Sequence, residues 1–289
     1  MIKKIILFLK DIKFEHSLFA LPFAYLGLFL AEGRMPSAHL WIWVTAAMVS
    51  FRTLAMALNR LFDASIDARN PRTQGRAIPS GKLSKGSVIA VSFLSLLLFE
   101  ISAFILGPLC FLLSPVPFVL AAVYPVMKRV SWISHFVLGS VLAIAPYGAW
   151  IASRGEFAPA PTFLSLGVIC WVAGFDMIYA LQDLDFDREE GLHSFPARFG
   201  RELTLAATKW LHFLSVFFWA LAGFFDGRGW GFFAGILLAA FFLYRSYRLV
   251  RSYGVAKINE AFFVMNVVVS VGIFAAAVLD LVFGRGSAG

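Results

Sequence analysis

The chain has 289 residues, 60% hydrophobic and only 15% charged, with a mean hydropathy of +0.80. This composition excludes an ordinary soluble domain, where about 25% of residues are charged, and the apolar runs do not alternate as the strands of a membrane β-barrel would. The formal charge of +8 points to basic loops beside an anionic lipid surface, not to a nucleic-acid partner.

In chain order, the N-terminal "MIKKIILFLKDIKFEHSLFALPFAYLGLFLAEG" lacks a small-residue cleavage site and reads as an uncleaved first helix. Runs of roughly 20 apolar residues, enough to cross a ~30 Å hydrocarbon core, recur along the rest. They give nine expected spans: 17–33, 38–62, 87–107, 108–126, 133–152, 160–182, 204–225, 229–248 and 259–283. Gly107–Pro108 divides the third from the fourth, which Pro115 and Pro117 interrupt. Cys110 and Cys170 lie inside apolar runs without a CxxC or histidine neighbour, the pattern of packing residues. No linker or low-complexity tract divides the chain, so residues 1–289 are expected to form one all-α polytopic membrane domain bundled around a cavity.

Loop charge orients these spans. With the N-terminus inside, the inner segments carry nearly all the Lys and Arg, and the outer side keeps Arg34, Arg154, Arg228 and Arg285. The positive-inside rule then places the N-terminus and the ends of the second and sixth spans in the cytoplasm of a bacterial-type inner membrane.

Both of those ends are acidic. The second span runs into "NRLFDASIDARNPRTQGRAIPSG", with Asn59, Asp63 and Asp67 at four-residue spacing on one helix face. The sixth runs into "YALQDLDFDREEG", with Tyr179, Asp183 and Asp187 in the same register and Asp185 between. Clustered carboxylates repel unless cations neutralise them. Oxygen donors without histidine or cysteine suit a hard ion such as Mg²⁺, which bridges carboxylates and phosphates. Arg72 and Arg76 follow the first motif and can hold remaining phosphate oxygens. Together these groups make a site for a lipid diphosphate whose tail lies in the bilayer. Taken singly, either motif also fits a solvated helix end.

The two segments resemble the signature regions of the UbiA superfamily of intramembrane prenyltransferases, and "YPVMKR" at Tyr124–Arg129 is similar to a third. The resemblance implies Mg²⁺-dependent transfer of a polyprenyl group from a polyprenyl diphosphate to an aromatic ring carbon. It implies Asn59, Asp63, Asp67, Asp183 and Asp187 in the metal–diphosphate cluster, with Asp185 a lesser candidate. Arg72, Arg76, Lys128 and Arg129 would bind the diphosphate. Departure of the diphosphate leaves an allylic cation, for which Tyr124 and Tyr147 are the candidate shielding or acceptor-contacting rings.

Arg52 lies inside a span, where an arginine is costly. It either bonds helix to helix, with Glu100 or Asp176 as possible partner, or clamps the carboxylate of a small aromatic acid acceptor. The expected acceptor is 4-hydroxybenzoate, as in ubiquinone synthesis. His193 in "GLHSFPARFG" departs from the Lys-Ser-Thr form of hydroxybenzoate enzymes, so a dihydroxynaphthoate of menaquinone synthesis stays open, as do a haem, a chlorin or a glycerol-phosphate lipid. A transporter is the reading from another class. Against it, the acids gather at one surface and not near the midplane.

Overall fold

Regular structure is helical throughout the described residues, 2–14 and 17–283 of the computed structural model. The helices are α1 (Ile2–Asp11), α2 (Ser17–Glu32), α3 (Ala38–Asp67), α4 (Lys85–Leu106), α5 (Pro108–Leu113) and α6 (Pro115–Met127). They continue with α7 (Ser134–Arg154), α8 (Pro159–Ala180), α9 (Leu184–Glu189), α10 (Phe195–Phe225), α11 (Trp230–Tyr253) and α12 (Ile258–Phe283). Among these residues, eight helices are long and apolar enough to cross a membrane, with Ala20–Glu32 a shorter apolar ninth. Large side chains such as Phe93, Leu94, Ile101 and Phe104 of α4 stand exposed on the outside. Water would penalise that surface and lipid does not, so this is an integral membrane protein.

Four expected segments are cut differently. The N-terminal stretch is two helices, since Lys13 adopts a positive φ of 51° after α1 ends at Asp11. The fourth span breaks at Ser114 between α5 and α6, because Pro115 cannot donate the amide that would continue the helix. The sixth span stops at Ala180 and passes through a 3₁₀ turn, Leu181–Asp183, into the short α9. The seventh begins early, at Phe195 behind the N-cap Ser194, and kinks at Gly200, whose φ of 78° only glycine adopts cheaply. His16 and Arg285 lie outside the described residues.

The central core packs Phe23 of α2, Trp171 of α8 and Trp219 of α10, with Trp171 centred 4.9 Å from Phe23 and 6.1 Å from Trp219. Bilayer tails are as apolar as leucine, so close backbone approach must replace the hydrophobic effect between helices. Gly139 supplies it for α7 and α8, since a Cβ there would stand 2.6 Å from the Ile169 carbonyl oxygen. That crossing lies one turn from His135 and sets the spacing of the two helices beside the acidic end.

Candidate active site

The last turns of α3 carry the first motif on an unbroken helix, and they are buried: Asp63 is 2% and Asp67 4% exposed. Each carboxylate faces a cation. Lys128 Nζ donates to Asp63 Oδ2 at 2.7 Å, and Asn59 Nδ2 donates to the same oxygen at 3.0 Å. Arg76 Nη1 reaches both oxygens of Asp67, at 2.8 and 2.7 Å. Arg129 donates to the Phe62 carbonyl at 2.5 Å and stands 4.0 Å from Asp63 Oδ1. That Oδ1 is buried without a hydrogen-bond partner among the described residues.

The second motif closes over the first from α8 and its 3₁₀ turn. Arg72 forks onto Asp183, with Nε 2.8 Å from Oδ1 and Nη2 on Oδ2, and its Nη1 donates to the Tyr179 hydroxyl at 3.1 Å. Asn70 Nδ2 adds a bond to Asp183 Oδ1 at 2.9 Å. Burial works against the Arg72 cation, but the bond to Asp183 and that carboxylate's charge outweigh it and raise the guanidinium above its ordinary range. Asp187, one helical turn beyond Asp183, is partly buried, bonds Ser194 and lies within reach of the charges of Asp183, Lys128 and His135. Farther out, Arg69 Nη2 meets Glu190 Oε2 at 2.7 Å, and the bond holds that exposed carboxyl below the usual range.

The fold thus gathers Asn59, Asp63, Asp67, Asp183, Asp187, Arg72, Arg76, Lys128 and Arg129 at one end of the bundle. Asp185 is not among them: the α9 turn leaves it exposed, beside Arg201 and Val250 in a separate small pocket. Tyr124 belongs with the acids, for it lies one turn of α6 before Lys128, the partner of Asp63. Tyr147 is remote from them. Its hydroxyl meets Thr162 Oγ1 at 3.1 Å, twelve residues or roughly 18 Å of helix beyond His135. There it lines an apolar cavity of about 450 Å³ with Val44, Met48, Phe51, Phe99 and Leu106.

Arg52 turns to neither expected partner. Its Nη2 donates to the carbonyls of Lys13 at 2.7 Å and Ile12 at 3.5 Å, tying α3 to the chain behind α1. Glu100 instead accepts from Ser114 Oγ at 2.7 Å, and Asp176 pairs with His135. Those two partnerships correct only the expectation that Glu100 or Asp176 pairs with Arg52.

Three contributors escaped the sequence reading. Asn70 is marked only by the Asn-Pro turn signal. Arg60, 5% exposed, donates to the Asp11 carbonyl through Nε at 3.0 Å and Nη2 at 2.9 Å and to Asn59 Oδ1 at 3.0 Å, bracing the first motif against α1. Asp11 in turn accepts from the Ala77 amide at 2.8 Å, anchoring the loop that carries Arg72 and Arg76. Such partners lie far apart in the chain and carry no spacing signal.

Among the described residues, no three His, Cys, Asp or Glu side chains converge as a preformed metal cage. The donor set nevertheless fits a divalent cation. Its carboxylates are oxygen-only, Asp63 Oδ1 is buried and takes no hydrogen bond among the described residues, and the cations opposite can exchange a carboxylate for a phosphate.

A model of the UbiA prenyltransferase family matches residues 20–268. The chain is 28% identical over 236 residues to a 4-hydroxybenzoate octaprenyltransferase of Francisella tularensis subsp. novicida, covering 82% of this chain and 83% of that protein. It superposes on the apo structure of a UbiA homolog from Aeropyrum pernix K1 with a TM-score of 0.84, 31% identity and coverage of 92% and 98% of the two chains. A UbiA homolog from Archaeoglobus fulgidus bound to DMAPP and Mg²⁺ shares the fold, with a TM-score of 0.67, 17% identity and coverage of 94% and 99%.

Proposed function

The chain belongs to the UbiA prenyltransferase family, and from that premise we propose that it transfers a polyprenyl group from polyprenyl diphosphate to a ring carbon of 4-hydroxybenzoate, with Mg²⁺ as cofactor. The observation that carries this reading is the pairing of Asp63, Asp67 and Asp183 with Lys128, Arg76 and Arg72 at the mouth of a membrane-embedded bundle. Acids and cations in equal number suit a ligand that brings a divalent metal and a diphosphate together. Asp63, Asp67, Asp183 and Asp187, assisted by Asn59, would hold Mg²⁺. When bound, the metal supplies Lewis-acid stabilisation of the charge on the departing diphosphate.

The residues of this chain do the rest. Released from their carboxylates, Lys128, Arg72 and Arg76 bind diphosphate oxygens, with Arg129 beside them, and stabilise the leaving group. Tyr124 presents a ring between the acids and the apolar interior, where it shields the allylic cation. The apolar cavity, with Tyr147 at its far end, receives the prenyl chain and keeps water from the cation. Hydroxybenzoate is favoured as the acceptor by the name of the relative from Francisella tularensis. The loop charges favour a cytoplasmic mouth in a bacterial inner membrane.

The test is mass spectrometry on purified protein in mild detergent, supplied with Mg²⁺, geranyl diphosphate and 4-hydroxybenzoate. The expected product is a prenylated ring that requires metal and disappears in Asp63→Asn. A folded protein that binds the diphosphate but leaves 4-hydroxybenzoate unmodified would overturn the acceptor assignment.

A further inference from the structure

Below the diphosphate site, α8 is packed against α7, α10 and α12, and Trp171–Phe175, Met177 and Ile178 are all buried. Asp176 interrupts that stretch, with 19% of its side chain exposed. The carboxylate faces inward and not toward lipid, because it meets the buried His135 of α7. Asp176 also shares a face of α8 with Tyr179, and it lies seven residues before Asp183, roughly 10 Å deeper.

A carboxylate at that depth is costly unless it is held. Here one oxygen is held. Asp176 Oδ2 lies 2.7 Å from His135 Nδ1, and the backbone amide of Phe195, at the first position of α10, donates to His135 Nε2 at 3.1 Å. An amide N–H can only donate, so Nε2 carries the lone pair and Nδ1 carries the hydrogen that points at Asp176. The helix terminus thereby sets the imidazole tautomer, and the imidazole sets the carboxylate. Asp176 Oδ1 takes no hydrogen bond among the described residues and keeps accessible surface.

We propose that Asp176 is the anchor for a ring hydroxyl of the aromatic acceptor, accepting its hydrogen bond on Oδ1, and that His135 is the positioning residue that aims it. The assignment rests on the aromatic-transferase reading above and adds to it a specificity group for hydroxylated rings. A hydroxyl bonded to an anionic oxygen pushes electron density into the ring, which favours attack on the allylic cation. Substitution of the hydroxyl by a methoxy group removes the donor and leaves a buried acceptor unpaired, which makes the site selective.

The experiment uses the purified full chain with Mg²⁺ and the slowly reacting geranyl thiolodiphosphate. Calorimetry reads binding of the thiolodiphosphate, then of 4-hydroxybenzoate and 4-methoxybenzoate. The wild-type protein is expected to prefer the hydroxy compound by about ten-fold or more. Asp176→Asn presents an amide in place of the carboxylate and should bring the ratio close to one, with thiolodiphosphate binding retained. His135→Leu should also abolish the preference. His135→Gln should keep it, because one amide can both accept from Phe195 and donate to Asp176.

A ratio unchanged in Asp176→Asn would overturn the proposal, as would a wild-type protein with no preference. Loss of thiolodiphosphate binding in both Asp176→Asn and His135→Leu would also overturn it, since the pair would then be part of the diphosphate site or its scaffold. Failure of the wild-type protein to bind thiolodiphosphate would sink the transferase reading instead, so the two fail separately.

Discussion

The two acidic motifs look alike as strings and are built differently. The first sits on the uninterrupted end of α3, with Asp63 and Asp67 almost wholly buried and Asp63 Oδ1 without a hydrogen bond among the described residues. The second straddles the end of α8, a 3₁₀ turn and α9, and its Asp183 side chain keeps 16% exposure. One wall of the site is therefore a rigid rod whose charges depend on their partners. The other is a jointed segment, held across the mouth by Arg72, Asn70 and the Arg69–Glu190 pair. The difference teaches that a near-repeat in sequence can divide its work in space: one copy fixes the position of charge, and the other closes over it.

The largest effects should be on turnover and should fall on both walls. Asp63→Asn and Asp183→Asn each remove a charge from the metal–diphosphate cluster and should lower turnover by on the order of 10²–10³-fold or more, read as product by mass spectrometry. Chelation of Mg²⁺ should act as strongly. A variant on one wall that kept full activity would confine the cluster to the other.

Stability should separate the walls. Lys128→Met leaves Asp63, 2% exposed, without its cation and should cost about 3 kcal/mol, the usual scale for breaking a buried pair. Arg72→Met leaves the more accessible Asp183 with Asn70 and water and should cost only about 1 kcal/mol. Denaturation midpoints in mild detergent measure both. Equal losses would break the comparison between a rigid wall and an accommodating one.

The smallest effect belongs to the Arg69–Glu190 clasp. Arg69 holds the Glu190 carboxyl below the usual range. Its stabilisation is therefore present above the ordinary glutamate value and is lost as pH falls through the lowered one. Glu190→Gln should leave the melting temperature at pH 7 nearly unchanged and flatten its acid dependence. A large shift at neutral pH would mean that the clasp bears more of the closure than its exposure allows.

Much of this was legible in the chain itself. Apolar runs of membrane length determined the membrane class and the segment count, because a bilayer accepts backbone only when its hydrogen bonds close within a helix. Four-residue spacing determined that Asn59, Asp63 and Asp67 share a face, since that is a property of the helix alone. The chemistry of oxygen donors beside arginines suggested a diphosphate, for charge and softness belong to residue types wherever they lie.

Tertiary structure decided what depends on distance between segments. It assigned Asp63 to Lys128, turned Arg52 to carbonyls behind α1, gave Glu100 to Ser114 and separated Tyr147 from the acids. It also brought His135 of α7, Asp176 of α8 and the Phe195 amide of α10 into one chain of hydrogen bonds. A buried polar group takes whichever partner the helix crossings bring within about 3 Å. Those crossings are set by packing at places such as Gly139, which no periodicity in the sequence announces.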